Sequence, residues 1–237
     1  LGCGQPGRFA LSQADVLGVV ANQVALSIRN AELYRRLREA ALVEERYRLS
    51  REIHDGLAQT LGLLGLQAER AERLVGQGRL EEAEQEVASL RAIVADPALE
   101  GQVTFSSNSG RAILRIAPEV VAGEIAAKRK EYDRALLHLE RAVRYEDALI
   151  YQEPPDWHAP VRQTLGAVLL EAGRPDEAET VFWEDLNRNR ENGWSLFGLM
   201  QALRAQGKQE EAALVEARFE KAWASADIRL AASRIDR

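Results

Sequence analysis

An all-α chain is what this sequence predicts: a long helical hairpin that pairs with a second copy as a four-helix bundle, followed by an α-solenoid of about three repeats. Three observations carry that expectation. The seven prolines stand at 6, 97, 118, 154, 155, 160 and 175, leaving residues 7–96 free of them. That stretch is dominated by Ala, Leu, Glu, Arg and Gln, which lose little side-chain freedom in a helix. Beyond residue 118, small and apolar residues return with a period of 34.

Each element follows in chain order. Ser12 with Asp15 resembles a capping box and predicts a helix start. Ala21, Val24, Ile28 and Ala31 recur at spacings of 3, 4 and 3, one stripe of a helix. The stripe resumes after Leu37 through Leu42, Leu49, Ile53, Leu57, Leu61 and Leu64. Gly76-Gln77-Gly78 breaks the helix at a turn. A second helix then carries Leu80, Ala83, Val87, Leu90 and Val94 until Asp96-Pro97 ends it. Both seams are too narrow for a globular core, so the hairpin is expected to dimerise through residues 31–96. Residues 97–117 read as a linker, with Ser106 to Gly110 as its flexible cluster and one extended piece at Gln102–Phe105.

In residues 118–237, Leu165, Gly173 and Ala178 recur as Leu199, Gly207 and Ala212. Gly123, Tyr132 and Ala135 stand to one another as Gly166, Pro175 and Ala178 do, at an offset of 43 that the loop around Glu153-Pro154-Pro155-Asp156-Trp157 absorbs. Such a period is the mark of stacked helical hairpins, with Leu139 and Phe182 filling the space between them.

Composition narrows the functions open to the chain. The net charge of −6 is shared equally by the first hundred residues and the rest, so neither part has the basic excess that displaces counterions from nucleic acid. One cysteine, Cys3, and three widely spaced histidines offer no metal site. No apolar run approaches the roughly 20 residues that span a bilayer and no signal peptide opens the chain, so a cytoplasmic location is expected. The only methionine is Met200, and the chain reads as a segment of a longer protein.

The candidate chemistry lies in Glu44–Leu61, which is crowded with charge yet keeps its apolar stripe. His54 directly follows stripe residue Ile53, which turns its imidazole toward the solvent-facing flank. Asp55 is next, and Gln59 lies one turn beyond it on the same face. An imidazole nitrogen is nucleophilic near neutral pH, and a neighbouring carboxylate can orient the ring or take its proton. An amide one turn on can hold a water in line with a phosphoryl group. The His-Asp dipeptide alone reads as a surface histidine; the whole pattern shifts the balance.

That pattern, a Glu-Arg run, then Arg51-Glu52-Ile53-His54-Asp55, then Gln59, resembles the phosphoacceptor box of sensor histidine kinases of the nitrate/nitrite-sensor subfamily. The resemblance implies that His54 is the phosphorylated residue, Asp55 its acid/base partner, and Gln59 the residue positioning water when a response regulator is dephosphorylated. Residues 9–34 are similar to the closing helix of a GAF sensor domain, of which residues 1–30 would be the remnant. Such a kinase continues into an ATP-binding domain, but Asn108-Ser109-Gly110 lacks the Asp and paired glycines of that site. The expectation is therefore no cofactor in this chain, with ATP and Mg entering only through a kinase domain supplied in trans. Whether the chain counts as an enzyme is left open on that ground.

Residues 118–237 resemble a tetratricopeptide-repeat protein on the strength of Glu153–Trp157, Gly173-Arg174-Pro175, Glu191–Leu199 and Phe219–Trp223. That resemblance implies a groove binding an unidentified protein or peptide. Trp157, Trp183, Trp194 and Trp223 are read as packing residues before binding anchors, and His138 as a packing or surface residue. The alternative for the whole chain is a non-catalytic repeat scaffold with a coiled-coil stalk and a silent His54.

Overall fold

The computed structural model describes residues 8–99, 108–151, 153, 155–157 and 159–234. Every element among them is helical: α1 Arg8–Gly76, α2 Leu80–Val94, α3 Gly110–Leu114, α4 Ile116–Lys128, α5 Tyr132–Asp147, α6 Val161–Glu171, α7 Pro175–Arg188, α8 Gly193–Ala205 and α9 Gln209–Ala222, with a 3-10 turn at Pro97–Leu99. None of these helices is long and apolar enough to cross a membrane. Helix α1 begins four residues before the expected cap at Ser12, since nothing in Phe9-Ala10-Leu11 resists a helix. The chain divides into two units, Leu1–Asp55 and Gly56–Arg237. This division falls within α1.

The first unit is helix α1 alone. Val20, Val24, Leu26, Ile28, Leu33, Tyr34, Leu37 and Leu42 are each more than half exposed along it. Pairs one turn apart, such as Arg36 with Glu32 at 2.9 Å, brace the polar faces.

In the second unit, α1 turns at Gly76–Arg79 into α2, as the glycine pair predicts. The expected repeats are the pairs α4/α5, α6/α7 and α8/α9. Their insertion lies where the sequence puts it: 13 residues separate Asp147 from Val161, against four between Arg188 and Gly193. Glycines let the paired helices close up. A Cβ on Gly166 would stand 2.3 Å from Phe182, and one on Gly198 would stand 2.2 Å from the same ring. Phe182 is fully buried between them. Gly123 meets Leu139 in the same way, at 2.7 Å.

The end of α1 and α2 form a fourth pair of the same build. Gly78, Lys130, Gly173 and Gly207 all take φ between +61° and +79°. At each turn the next residue donates its N–H back to a carbonyl five residues earlier: Arg79 to Leu74, Glu131 to Ala126, Arg174 to Leu169 and Lys208 to Leu203, at 2.9 to 3.0 Å. These are Schellman closures, which satisfy carbonyls left over at a helix end. The fifth residue after each turn is a buried alanine, Ala83, Ala135, Ala178 or Ala212, at 1% exposure or less.

The partner of α2 therefore differs from the expectation. Its seam does not await a second copy: Ala83 and Val87 pack with Val75 of α1 and with Val121 and Ile125 of α4. Leu90 packs with Leu99 and Leu114. Arg129 grips Glu84 through two bonds of 2.6 and 3.1 Å, and Arg91 reaches Glu119 at 3.1 Å. An apolar helical stripe demands cover, and α4 supplies it from the same chain.

Described residues within the expected linker are packed and capped. Leu99 is buried, Ser109 caps α3 by accepting the Ala112 N–H at 3.2 Å, and Ile116 is fully buried. Asn108 exchanges hydrogen bonds with both backbone groups of Ile150 at 2.8 Å and donates to Asp156 at 2.7 Å. Polar residues that suggest flexibility serve here as caps and braces. The extended piece expected at Gln102–Phe105 lies outside the described residues.

Candidate functional site

His54, Asp55 and Gln59 all fall on the helical backbone of α1. His54 and Asp55 close the first unit and Gln59 belongs to the second. Their side chains, and with them the expected exposure of the imidazole, lie outside the described residues. The flanking positions Glu44 and Glu45 on one side and Gly65 and Leu66 on the other are exposed. A helix unbroken by proline or a glycine pair fits the local sequence, since Gly56 and Gly65 stand singly among Leu, Ala and Gln.

Two other sequence candidates resolve differently. His138 is a packing residue, its Nδ1 2.7 Å from the Glu119 carboxylate. Glu119, at 7% exposure, is also reached by Arg91 of α2 at 3.1 Å and Arg141 of α5 at 3.4 Å. It thus ties three helices together, a role its sequence neighbourhood does not announce. His158 lies outside the described residues, and among the described residues no cluster of His, Cys, Asp or Glu could hold a metal ion.

Described residues of the second unit line a groove of about 580 Å³. Its walls come from the first helix of every pair: Glu69 and Glu72 of α1, Glu124 and Lys128 of α4, Gln163 and Thr164 of α6, and Trp194 of α8. Trp157 and Arg234 complete it. Its charged residues are three carboxylates, Glu69, Glu72 and Glu124, and two cations, Lys128 and Arg234, among mostly neutral and apolar neighbours. Gln163 is 8% exposed, and its side-chain Nε2 has no hydrogen-bond partner among the described residues.

The four tryptophans have different surroundings, and Trp157 also packs against the core of the stack. Trp223 packs, lying where a Cβ on Gly193 would meet it at 2.2 Å and standing edge-on to Trp194 with centroids 5.7 Å apart. Trp157 and Trp194 line the groove. Trp183 is 40% exposed, on a smaller cleft between α7 and α9, with the Arg218 guanidinium 5.7 Å from its ring centre. No sequence signal marked Gln163 or Arg234, because a single Gln or Arg carries no pattern until the fold places it.

An all-helical chain with a phosphoacceptor-like box on a long helix is the class that fold and sequence define together. A protein-family model described as histidine kinase matches residues 45–100. The match spans His54, Asp55 and Gln59 and supports a phosphoacceptor and dimerisation role in two-component signalling for that segment. It also runs through α2, so this helix lies within the matched residues while packing in the helical stack.

Proposed function

We propose that this chain is a histidine phosphoacceptor and dimerisation module joined to a tetratricopeptide-type protein-interaction domain, acting in the cytoplasm and phosphorylated by an ATP-binding domain supplied in trans. The observation that carries it is the coincidence of the box at 44–61 with the family match at 45–100. His54 accepts the phosphoryl group on a ring nitrogen, Asp55 orients the ring and takes its proton, and Gln59 positions the water that hydrolyses the phosphoryl group of a response regulator. ATP and Mg act at the partner domain, and this chain contributes the nucleophile and its proton acceptor. The N-terminal residues 1–30 act as the end of a GAF-like input domain. The exposed apolar stripe of α1 supports pairing with a second copy.

Incubating the chain with ATP and an ATP-binding domain of the same kinase class tests this. Wild type is expected to acquire acid-labile, base-stable phosphate, and His54→Gln to acquire none. Equal labelling of the mutant overturns the assignment. The packing of α2 on α4 favours a second reading, a repeat scaffold whose stalk is α1 and whose His54 is silent. Absence of label in wild type supports that scaffold.

A further inference from the structure

Helix α2 has one buried face and two claimants for it. Ala83, Val87 and Leu90 are buried, while Glu81, Glu82, Gln85, Ser89 and Ala92 around the rest of the helix are exposed. With Ala71 and Val75 of α1, Ala83 and Val87 form the apolar stripe of the hairpin, and it packs on Val121 and Ile125 of α4. The kinase-family match covers both helices of this hairpin. A bundle of two such hairpins would bury the same stripe, and a stripe this narrow cannot serve α4 and a second copy at once.

The contact with α4 can part without stranding a buried charge. Arg129 and Glu84, joined by bonds of 2.6 and 3.1 Å, are 25% and 43% exposed, so water reaches both when they separate. Glu119 loses Arg91 but keeps His138 at 2.7 Å and Arg141 at 3.4 Å, both from α5. Breaking a buried ion pair is severe where it leaves a lone charge, and here none is left. Undocking does bare Val121 and Ile125, now 1% and 3% exposed. That cost holds the hairpin on α4 unless burial of its stripe against a second copy offsets it.

We propose that α4 is an intramolecular stand-in for a second copy: docked on α2, it withholds the hairpin from a four-helix bundle, and bundling requires the hairpin to leave α4. The proposal rests on the dimerisation reading of residues 45–100. Undocking adds the α2 seam to the surface available between copies, so release tightens the dimer. Glu69 and Glu72 of α1 share a groove with Glu124 and Lys128 of α4, so undocking also divides that groove.

The test uses full-length chains carrying Cys3→Ser and Val121→Cys, whose single thiol then lies beneath α2. Added to these, Arg129→Glu sets a carboxylate against Glu84, Glu84→Arg/Arg129→Glu restores an ion pair, and Ile125→Glu places a charge under α2 while leaving the hairpin stripe intact. Iodoacetamide alkylation reports undocking, and sedimentation equilibrium gives the dimer dissociation constant, in chains of unchanged helical circular dichroism. Arg129→Glu and Ile125→Glu are each expected to speed alkylation and to lower the dissociation constant at least tenfold. The charge swap is expected to return both to the parent values. A dissociation constant that neither substitution lowers, or no dimer in any chain, overturns the proposal whatever the alkylation rate. Phosphorylation by an ATP-binding domain in trans separates this from the reading beneath it. A tighter dimer with no label on any chain keeps the stand-in and removes the phosphoacceptor, whereas label with an unmoved dimer removes the stand-in alone.

Discussion

Glu146 shows how a single side chain couples this stack to pH. It sits at the end of α5 and accepts the Val161 N–H at the start of α6 at 3.1 Å. Burial pushes its carboxyl up to about 7, with Asp185 and Asp147 adding to the rise and the Val161 bond and Arg162 opposing it. In the unfolded chain the group titrates near an ordinary 4.5. Between those values the folded chain holds a proton that the unfolded chain has lost, so stability falls as pH rises and reaches its floor above about 7. Glu146→Gln keeps an acceptor for Val161 and removes the charge. Thermal melts are expected to coincide with wild type near pH 4.5 and to favour the mutant at pH 8, by about 3 kcal/mol at most. Asp147, held below its usual range by Arg162, is common to both chains and cancels in the comparison. A gap that does not change with pH removes Glu146 from the account.

At the level of elements, the informative case is α2. Its spacing of Leu80, Ala83, Val87, Leu90 and Val94 announced a buried face, and that face is buried. What covers it was not legible, because periodicity specifies a stripe and is silent about the partner. The clue was nevertheless present: Gly78 precedes Ala83 by five residues, as Gly173 precedes Ala178 and Gly207 precedes Ala212. The pairs at 165–212 were legible because a left-handed turn and a close helix contact restrict residue type at fixed positions. Tyr132 and Ala135 carried the frame even though Lys130 stands at its left-handed position instead of glycine. The roles of Asn108 and Ser109 were not legible, because Ser and Asn signal a break in regular structure equally well when they brace it. Leu90, 1% exposed against Leu99 and Leu114, provides the test. Leu90→Ala is expected to destabilise the second unit by about 2–5 kcal/mol. In calorimetry the loss should be independent of protein concentration, since α4 of the same chain covers the face. A loss that vanishes on dilution would return α2 to a subunit interface.

For the whole molecule, the meeting point of the two units lies within α1, at Asp55 and Gly56. The kinase match crosses this meeting point, ending at residue 100 after passing through α2. With the α2 seam covered by α4, the exposed apolar residues of α1 in the first unit offer a surface for pairing with a second copy. Leu33 and Leu37, one turn apart and 56% and 63% exposed, share one face of α1 within the expected dimer region. Two adjacent leucines left in water at an unpaired helix are costly, whereas in a paired helix they insert between side chains of the facing copy. Sedimentation equilibrium at micromolar concentration is expected to show a dimer for wild type and for Leu90→Ala, and a monomer for Leu33→Glu/Leu37→Glu. The double mutant is expected to keep the wild-type melting transition of the second unit, because its substitutions lie wholly in the first. A dimer that survives both glutamates, or dissociates on Leu90→Ala, places the contact elsewhere. A monomeric wild type leaves phosphotransfer without its paired shaft and turns the balance toward the repeat scaffold.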